Sequence, residues 1–402
     1  MTVTDESTVN FPLTRPGPYA PPEEYTRLRE ETPITRVRTP SGGEPWVLTR
    51  HDDIRTMLAD PRFSSDRRNP DFPFLFEGQR RSVTEFRPSL ISMDPPQHGP
   101  ARRAVLGEFT VRRTQQLRPR IQQIVDECID DMLAGPKPAD LVTALSLPVP
   151  SLVICELLGV PYADHEFFQA RTTKMIKRTT PVEERLQCVA DVRGYLSDLI
   201  KTKEAAPTDD LLGRQISKQR EDGTEDHEEL VALAFLLLLA GHETTANMIS
   251  LGTLTLIDKP ETRAAIVEDP SRTPGAIEEL LRYFTIVETA TSRVATADIE
   301  VGGTLIRKGE GVVAIGSTAN RDPSAFPNPD ELDIERGARH HVAFGFGPHQ
   351  CLGQNLARAE LQIVFDTLFK RIPDLKLAAP ISELPFKDDA NIYGLYALPV
   401  TW

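Results

Sequence analysis

The residues best suited to chemistry lie in one glycine-rich stretch near the C-terminus. Residues 344–353 read FGFGPHQCLG, which places Cys351 within a few residues of Gly345, Gly347 and Gly353. Glycine permits backbone conformations and close approaches that a side chain would block. A cysteine at the mouth of such a loop is suited to be an axial thiolate ligand on a flat cofactor.

The segment that follows Cys351 has the spacing of a helix. Leu361, Phe365 and Leu368 recur at intervals of four and three residues, so they share one face. We therefore expect Cys351 at a helix N-terminus, where the dipole and the free amides favour a thiolate over a thiol. The alternative is a buried structural cysteine beside an incidental loop. That reading suits the other three cysteines, which lie in apolar or helical stretches: Cys128, Cys155 and Cys188.

A second candidate site interrupts the most apolar helix pattern, which runs from about residue 228 to 257. There the sequence AGHETT, residues 240–245, places a glycine and four polar side chains in a helix expected to be buried. Buried polar groups are costly unless they are used or hydrogen-bonded. Glu243 and Thr244 are therefore candidates for carrying protons to a buried reaction centre. In the alternative, Thr244 only caps a kink and Glu243 reaches a surface pocket.

The elements around these segments predict a mainly α fold with small β-sheets. Helical patterns dominate from Gln97 onward, interrupted by Pro and Gly. Residues 61–96 are predicted to be a long loop, and residues 204–229 a charged connection. The other expected elements are short: helices at 23–31 and 51–58, and strands at 46–49, 299–301, 305–306, 312–315 and 397–400.

Composition and charge exclude several classes of protein. The 46 basic and 59 acidic residues give a net charge of −13, which offers no general support for nucleic-acid binding. The polar N-terminus lacks the basic start and apolar stretch of a signal peptide. The longest apolar run, residues 230–241, is shorter than the roughly 20 residues of a membrane span. We expect a cytoplasmic protein that binds neither nucleic acid nor membrane.

Together, the cysteine loop and the interrupted helix resemble the cytochrome P450 family, and most closely its soluble actinobacterial members. The resemblance extends from about Pro18 to the C-terminus. It implies a single compact P450 domain over residues 1–402, with residues 1–17 as a flexible lead-in, around a buried haem b. It also implies that Cys351 is the proximal ligand of the haem iron, with Glu243 as the acid and Thr244 as the alcohol of oxygen activation. His242 is at a position that varies in the family, and we expect it to face solvent or substrate.

The same resemblance assigns further residues to the cofactor and to its support. His98 and Arg102 are four residues apart and share a helix face, and the guanidinium fork suits a carboxylate. The expected propionate contacts are His98, Arg102, Arg293 and His349. The expected buried cluster that supports the cysteine loop consists of Glu279, Arg282 and Arg336.

The resemblance also places a substrate pocket, formed in part by the loop at 70–93 and a lid at 165–180. The residues expected to line it are Leu236, Ala240, Val287, Thr289, Ile392 and Leu395, with Glu288 as a further polar anchor. This mainly apolar lining suits a bulky hydrophobic molecule. The expected substrates are polyketides, terpenoids, steroid-like compounds and xenobiotics.

The implied reaction inserts one oxygen atom of O2 into a substrate C–H bond. The sequence shows no flavin or iron–sulfur segment, so we expect electrons from a separate ferredoxin and its NAD(P)H-dependent reductase, or from a flavodoxin. A candidate docking patch consists of Arg102, Arg103, Arg112 and Arg113. Two alternatives remain at this point: a haem-thiolate peroxygenase or isomerase, and a non-catalytic haem-binding sensor.

Overall fold

The computed structural model describes residues 9–76, 78–288 and 291–402. Helices α1 to α14 span, in chain order, Glu23–Glu31, His51–Ala59, Gln79–Thr84, His98–Leu106, Val111–Ala134, Pro148–Leu158, His165–Ile176, Val182–Ala205, Leu211–Asp222, His227–Asp258, Pro260–Glu268, Thr273–Phe284, Gly316–Ala319 and Gln354–Arg371. Strands β1 to β11 span Val9–Asn10, Ile34–Arg38, Trp46–Leu48, Phe63–Ser64, Ala139–Asp140, Ser292–Ala295, Ile299–Val301, Thr304–Ile306, Gly311–Ala314, Lys376–Leu377 and Pro399–Thr401.

Most of the predicted elements are confirmed, but two predicted loops contain regular structure. The charged connection at 204–229 contains helix α9. The side chain of Asp210 caps this helix by accepting a hydrogen bond from the amide of Gly213, and Leu211 and Ile216 are buried. A cap and a short apolar face are sufficient where the tertiary structure covers that face. The loop at 61–96 likewise contains β4 and α3.

The chain divides into two compact units. The first, which we call the sheet unit, consists of the described residues up to 99, 282–331 and 340–351. Its six-stranded sheet has the order β1-β2-β3-β9-β6-β4. Strand β6 is antiparallel to both β9 and β4, so Arg293 pairs in register with Val312 and Phe63 with Ala295. The sheet therefore fixes Arg293 on a central strand, beside the edge strand that leads into residues 65–68.

The second unit, which we call the helical unit, consists of residues 100–281, 332–339 and 352–402. Helix α10 packs against α6, α8 and α14, and α14 also packs against α5. The predicted inner face of α14 is confirmed, because Leu361, Phe365 and Leu368 are fully buried. Among the described residues, α10 alone is long and apolar enough for a membrane span, but more than half of that stretch is buried in protein. Its packing is that of a core helix.

Candidate active site

Cys351 lies in the sheet unit, at the end of a tightly turned loop. Its amide donates a 2.8 Å hydrogen bond to the carbonyl oxygen of Phe344, and its side chain is partly buried. Gly347 has a φ of +70°, and a Cβ at this position would lie 2.6 Å from the carbonyl oxygen of Leu58. Glycine is needed here for both conformation and space. Helix α14 begins only at Gln354, so Cys351 precedes the helix rather than forming its first residue, as the sequence had suggested.

Three of the four predicted propionate contacts lie in the sheet unit. The rings of His98 and His349 have centroids 4.0 Å apart, and Ser65 Oγ lies 3.1 Å from His349 Nε2. Arg293 is buried in β6 and donates a 2.8 Å hydrogen bond to the carbonyl oxygen of Ser292. The fourth, Arg102, lies on α4 in the helical unit. The fold therefore brings two imidazoles together and fixes a guanidinium on a buried strand of the same unit.

Arg67 is a second cation near Arg293 that the sequence reasoning missed. The pKa of Arg293 is lowered to about 10, mainly by burial and further by the positive charge of Arg67, while Asp94 partly opposes both. Burial also lowers the pKa of Arg67. In the described part of the chain, neither arginine has a carboxylate within ion-pair distance. An anion bound beside them would relieve this repulsion. The run DRR at 66–68 was the only signal in the sequence.

Glu243 lies in the helical unit, in the middle of α10, and its side chain is only 1% exposed. Lys387 Nζ lies 3.1 Å from Oε2, Thr173 Oγ1 donates to Oε1 at 3.3 Å, and Asn247 Nδ2 donates to Oε2 at 3.4 Å. Burial alone raises the pKa of Glu243, but the charge of Lys387, with smaller contributions from His242 and Thr173, outweighs it. The net pKa is below its usual value, so Glu243 is a buried carboxylate.

The two neighbours of Glu243 in the sequence have different surroundings. Thr244 is partly exposed, and its hydroxyl donates a 2.8 Å hydrogen bond to the carbonyl oxygen of Ala240, one turn earlier. His242 is 2% exposed, with Nε2 3.1 Å from Thr172 Oγ1 and Nδ1 3.3 Å from the carbonyl oxygen of Leu238. The prediction that His242 faces solvent or substrate is therefore wrong. The turn of helix that carries it is covered by α7, which the sequence could not place.

The three predicted supporting residues are all hydrogen-bonded; Glu279 and Arg282 are buried, and Arg336 is partly buried. Within the helical unit, Glu279 Oε1 accepts hydrogen bonds from Arg336 Nε at 3.1 Å and from the amide of Asp333 at 2.9 Å. Within the sheet unit, Arg282 is fully buried and donates to main-chain carbonyl oxygens. Its acceptors are Asn320, Pro329 and Glu331, at 2.7, 2.8 and 3.1 Å. Charged side chains with hydrogen bonds of this kind hold the segments of chain that they connect in place.

The predicted pocket residues differ in exposure. Ala240 is exposed and Leu236 partly exposed on α10; Val287 and Ile392 are partly exposed; Leu395 is fully buried and offers no open surface. Thr289 lies outside the described residues. Glu288, expected to anchor substrate, instead accepts a 2.9 Å hydrogen bond from Arg15 and is mostly buried with it. The carboxylate of Glu288 is therefore paired with the N-terminal segment of the chain.

The predicted docking patch is exposed in part. Arg103 and Arg112 are exposed, as are the apolar side chains of Leu106 at 44% and Val111 at 61%. Arg113 is only partly exposed and lies 3.6 Å from a carboxylate oxygen of Glu108. The face at 103–112 therefore combines two exposed arginines with two exposed apolar side chains. Such a combination is typical of a transient protein–protein interface.

Comparison with known proteins establishes the family. A family model for cytochrome P450 matches residues 165–372. Pentalenic acid synthase from Streptomyces avermitilis is 51% identical to this chain, over 98% of the chain and 97% of its own length. The chain belongs to the cytochrome P450 family. Vitamin D3 dihydroxylase from Streptomyces griseolus is 48% identical to this P450, over 98% of it and 96% of the relative.

Solved structures confirm the predicted fold. The crystal structure of cytochrome P450 MoxA from Nonomuraea recticatena matches this P450 with a TM-score of 0.92 and 58% identity, over 98% of both chains. The mainly α fold with small β-sheets is therefore confirmed. This P450 is a haem-thiolate monooxygenase that uses haem b, O2 and electrons derived from NAD(P)H. It takes a small-molecule substrate and receives its electrons through redox partners.

Proposed function

We propose that this P450 hydroxylates a bulky, largely hydrophobic small molecule in the cytoplasm, with a polyketide, terpenoid, steroid-like compound or xenobiotic as substrate. The observation that carries the proposal is the acid–alcohol pair Glu243–Thr244, built into a helix that also presents Leu236 and Ala240 as open apolar surface. The names of the two relatives, a vitamin D3 dihydroxylase and a pentalenic acid synthase, support this substrate class.

The residues present fit haem b. Its propionates are anions, and in the sheet unit the positive charges of the buried Arg293 and of Arg67 repel each other, with only partial compensation by Asp94. We assign the propionates to His98, Arg102, Arg293 and His349, with Arg67 as a further contact, and the iron to the Cys351 thiolate. When bound, the haem supplies dioxygen activation at an iron whose electron density the thiolate raises.

The protein's own contribution to the reaction is the control of protons. One oxygen atom enters the substrate and the other leaves as water, so each turnover consumes two electrons and two protons. Thr244 can donate its hydroxyl hydrogen once it releases the carbonyl oxygen of Ala240. Glu243 is the group that can replace that proton, because it is the adjacent acid and is shielded from bulk water.

The alternatives make different demands on these residues. A haem-thiolate peroxygenase or isomerase needs no electron donor, and a haem-binding sensor has no need of a buried acid–alcohol pair. The exposed basic and apolar face at 103–112 favours the monooxygenase, because an acidic ferredoxin or flavodoxin would be steered to it. Turnover with peroxide but none with reduced ferredoxin would instead favour the peroxygenase.

The first experiment is the absorption spectrum of the dithionite-reduced protein under carbon monoxide. We expect a strongly red-shifted Soret band in the wild type and its loss in Cys351→Ser. Cys188→Ser is the matched control, because that cysteine is buried in α8 and should leave the band unchanged. A spectrum typical of imidazole ligation, or an unchanged band in Cys351→Ser, would contradict the assignment of the ligand.

Electron delivery can be tested separately. Replacing Arg103 and Arg112 with Gln should raise the KM for ferredoxin by roughly tenfold at low salt, with the effect reduced at high salt. The control removes two exposed charges elsewhere, in Arg307→Gln with Lys308→Gln. If both double variants have the wild-type KM, the face at 103–112 does not bind the electron donor.

A further inference from the structure

The buried carboxylate of Glu243 is held by a lysine that the proposed proton route does not use. Lys387 is 4% exposed, and its Nζ lies 3.1 Å from Glu243 Oε2. The lysine belongs to residues 386–396, which we call the C-terminal tip. The tip is closed on itself, because the amide of Lys387 donates a 2.8 Å hydrogen bond to the carbonyl oxygen of Gly394 and Phe386 forms an antiparallel bridge with Leu395.

The tip is tied to the end of α7, the helix expected to form part of the lid. The amide of Arg178 donates to the carbonyl oxygen of Asp389 at 2.7 Å, and the amide of Asn391 donates to that of Ile176 at 3.0 Å. Helix α7 also reaches Glu243 itself, through Thr173 Oγ1 at 3.3 Å. Two contacts on Glu243, one from the helix and one from the tip, therefore belong to one hydrogen-bonded assembly.

Lys387 is the counter-charge of Glu243 among the described residues. The other titratable groups near the carboxylate are His242 on its own helix and Tyr396 on the tip. Burial lowers the pKa of His242, which keeps its ring neutral. Burial and the carboxylate of Asp389 raise the pKa of Tyr396, which keeps its phenol protonated. The ammonium group of Lys387 is therefore the cation that holds Glu243 in its charged form.

A carboxylate held in this way is a poor proton donor, because it carries no proton to give. If the ion pair opens while Glu243 stays buried, the balance reverses, because burial without a cation favours the neutral acid. The carboxylate then takes one proton from water and becomes COOH. It can pass that proton to the hydroxyl oxygen of Thr244 as that hydroxyl gives up its own hydrogen, and so return to the carboxylate, with no electrons exchanged. Opening the pair is thus enough to convert Glu243 from an anion into an acid.

We propose that Lys387 is a latch on Glu243: while α7 and the C-terminal tip are closed, the ion pair prevents proton delivery, and a displacement of the tip or the helix releases the acid. This inference rests on the proposed role of Glu243 in the monooxygenase reaction. Lys387 is a positioning residue in this scheme, since it acts only through Glu243. The latch ties proton delivery to the same segments that are expected to contact substrate.

The direct test is infrared spectroscopy of the resting protein at neutral pH, with no turnover required. In Lys387→Met we expect an additional carbonyl stretch of a protonated buried carboxylic acid, beyond any in the wild type, which is lost again in Glu243→Gln with Lys387→Met. Lys387→Arg keeps the positive charge and should resemble the wild type. Glu360, whose pKa burial raises to about 8, contributes a constant band that the difference spectra remove.

The functional readout is NAD(P)H consumption without substrate, in the reconstituted system. A released acid delivers protons without waiting for substrate, so Lys387→Met should consume NAD(P)H faster, by roughly tenfold or more, because a larger fraction of Glu243 is then protonated. Thr173→Val removes the hydrogen bond from α7 to Glu243 and should also raise NAD(P)H consumption, but by less. Thr255→Val is the control, because it removes a buried hydroxyl of α10 that bonds only to the carbonyl oxygen of Leu251.

The outcomes separate the latch from the monooxygenase proposal. No new carboxylic-acid band in folded Lys387→Met, or wild-type NAD(P)H consumption in both Lys387→Met and Thr173→Val, would overturn the latch. If Lys387→Met does not fold, the latch is tested by comparing NAD(P)H consumption in Thr173→Val with that in Thr255→Val. If the wild type lacks the red-shifted carbon monoxide band, the proposed haem-thiolate site fails, whatever the infrared result.

Discussion

The cysteine loop at 344–353 and the acid-bearing turns of α10 at 240–247 are built in opposite ways. The loop is shaped by its own backbone. The amide of Cys351 donates a hydrogen bond to the carbonyl oxygen of Phe344, and Gly345 and Gly347 both adopt a φ of +70°. The acid on α10 is held by side chains that lie 70 residues earlier and 144 residues later in the sequence. A site of the first kind is recognisable from a short motif, whereas one of the second kind depends on packing.

The largest expected effect follows from a change within the loop. Gly347→Ala places a Cβ 2.6 Å from the carbonyl oxygen of Leu58 and keeps a positive φ. The conformation costs about 1–2 kcal/mol and the overlap about 1–3 kcal/mol more. We expect most of the haem to be lost, measured as haem absorbance per protein after purification. If Gly347→Ala bound as much haem as the wild type, the loop would not depend on its own backbone geometry in this way.

Gly303→Ala is the matched control for this substitution. Gly303 has a φ of +80°, and a Cβ there meets no other atom within 4 Å. This variant therefore carries the conformational cost without the overlap, and should retain haem with a modest loss of thermal stability. Equal haem loss in the two variants would show that the close approach to Leu58 is not what the loop requires.

A smaller effect is expected in the proton route. Thr244→Ala removes the hydroxyl beside Glu243 together with its exposed hydrogen bond to the carbonyl oxygen of Ala240. We expect folding, haem content and the carbon monoxide spectrum to be unchanged, while product formed per NAD(P)H falls by roughly tenfold or more. Ser250→Ala, which removes a buried hydroxyl on the same helix, is the control. Full coupling in Thr244→Ala would remove the proposed role of the alcohol.

A change in stability, with no expected change in activity, sharpens the contrast from a second buried carboxylate. Glu360 on α14 is buried like Glu243, but within the described residues no lysine pairs with it and its Oε2 has no hydrogen-bond partner. Burial raises its pKa from 4.5 to about 8. The two glutamates therefore have pKa values shifted in opposite directions, and the presence of Lys387 beside one of them explains the difference.

The sign of the pH effect follows from this shift. Between about pH 4.5 and pH 8 the folded protein keeps the proton on Glu360 while the unfolded chain loses it, so the wild type loses stability as the pH rises. Glu360→Gln cannot titrate. We expect it to be more stable than the wild type by on the order of a few kcal/mol at pH 8, and by little at pH 5, in urea unfolding. A stability difference independent of pH would contradict the raised pKa.

The sequence alone determined what depends on local spacing and local backbone. The cysteine loop, helix α10 and the buried face of α14 were predicted because glycine conformations and helical periodicity are properties of neighbouring residues. The buried environments of Glu279 and Arg336 followed from a resemblance to a known family. The family and the fold that the resemblance implied were then confirmed by comparison.

The tertiary structure alone decided which distant charges meet. Three such pairs are far apart in sequence. They are the ion pairs Lys387–Glu243 and Arg15–Glu288 and the repelling arginines Arg67 and Arg293. No local pattern marks one lysine or arginine among 46 as the partner of a given group. An exposed basic residue and a buried one cannot be told apart in a sequence, because the elements that pack around a side chain determine its burial and its ion-pair partner.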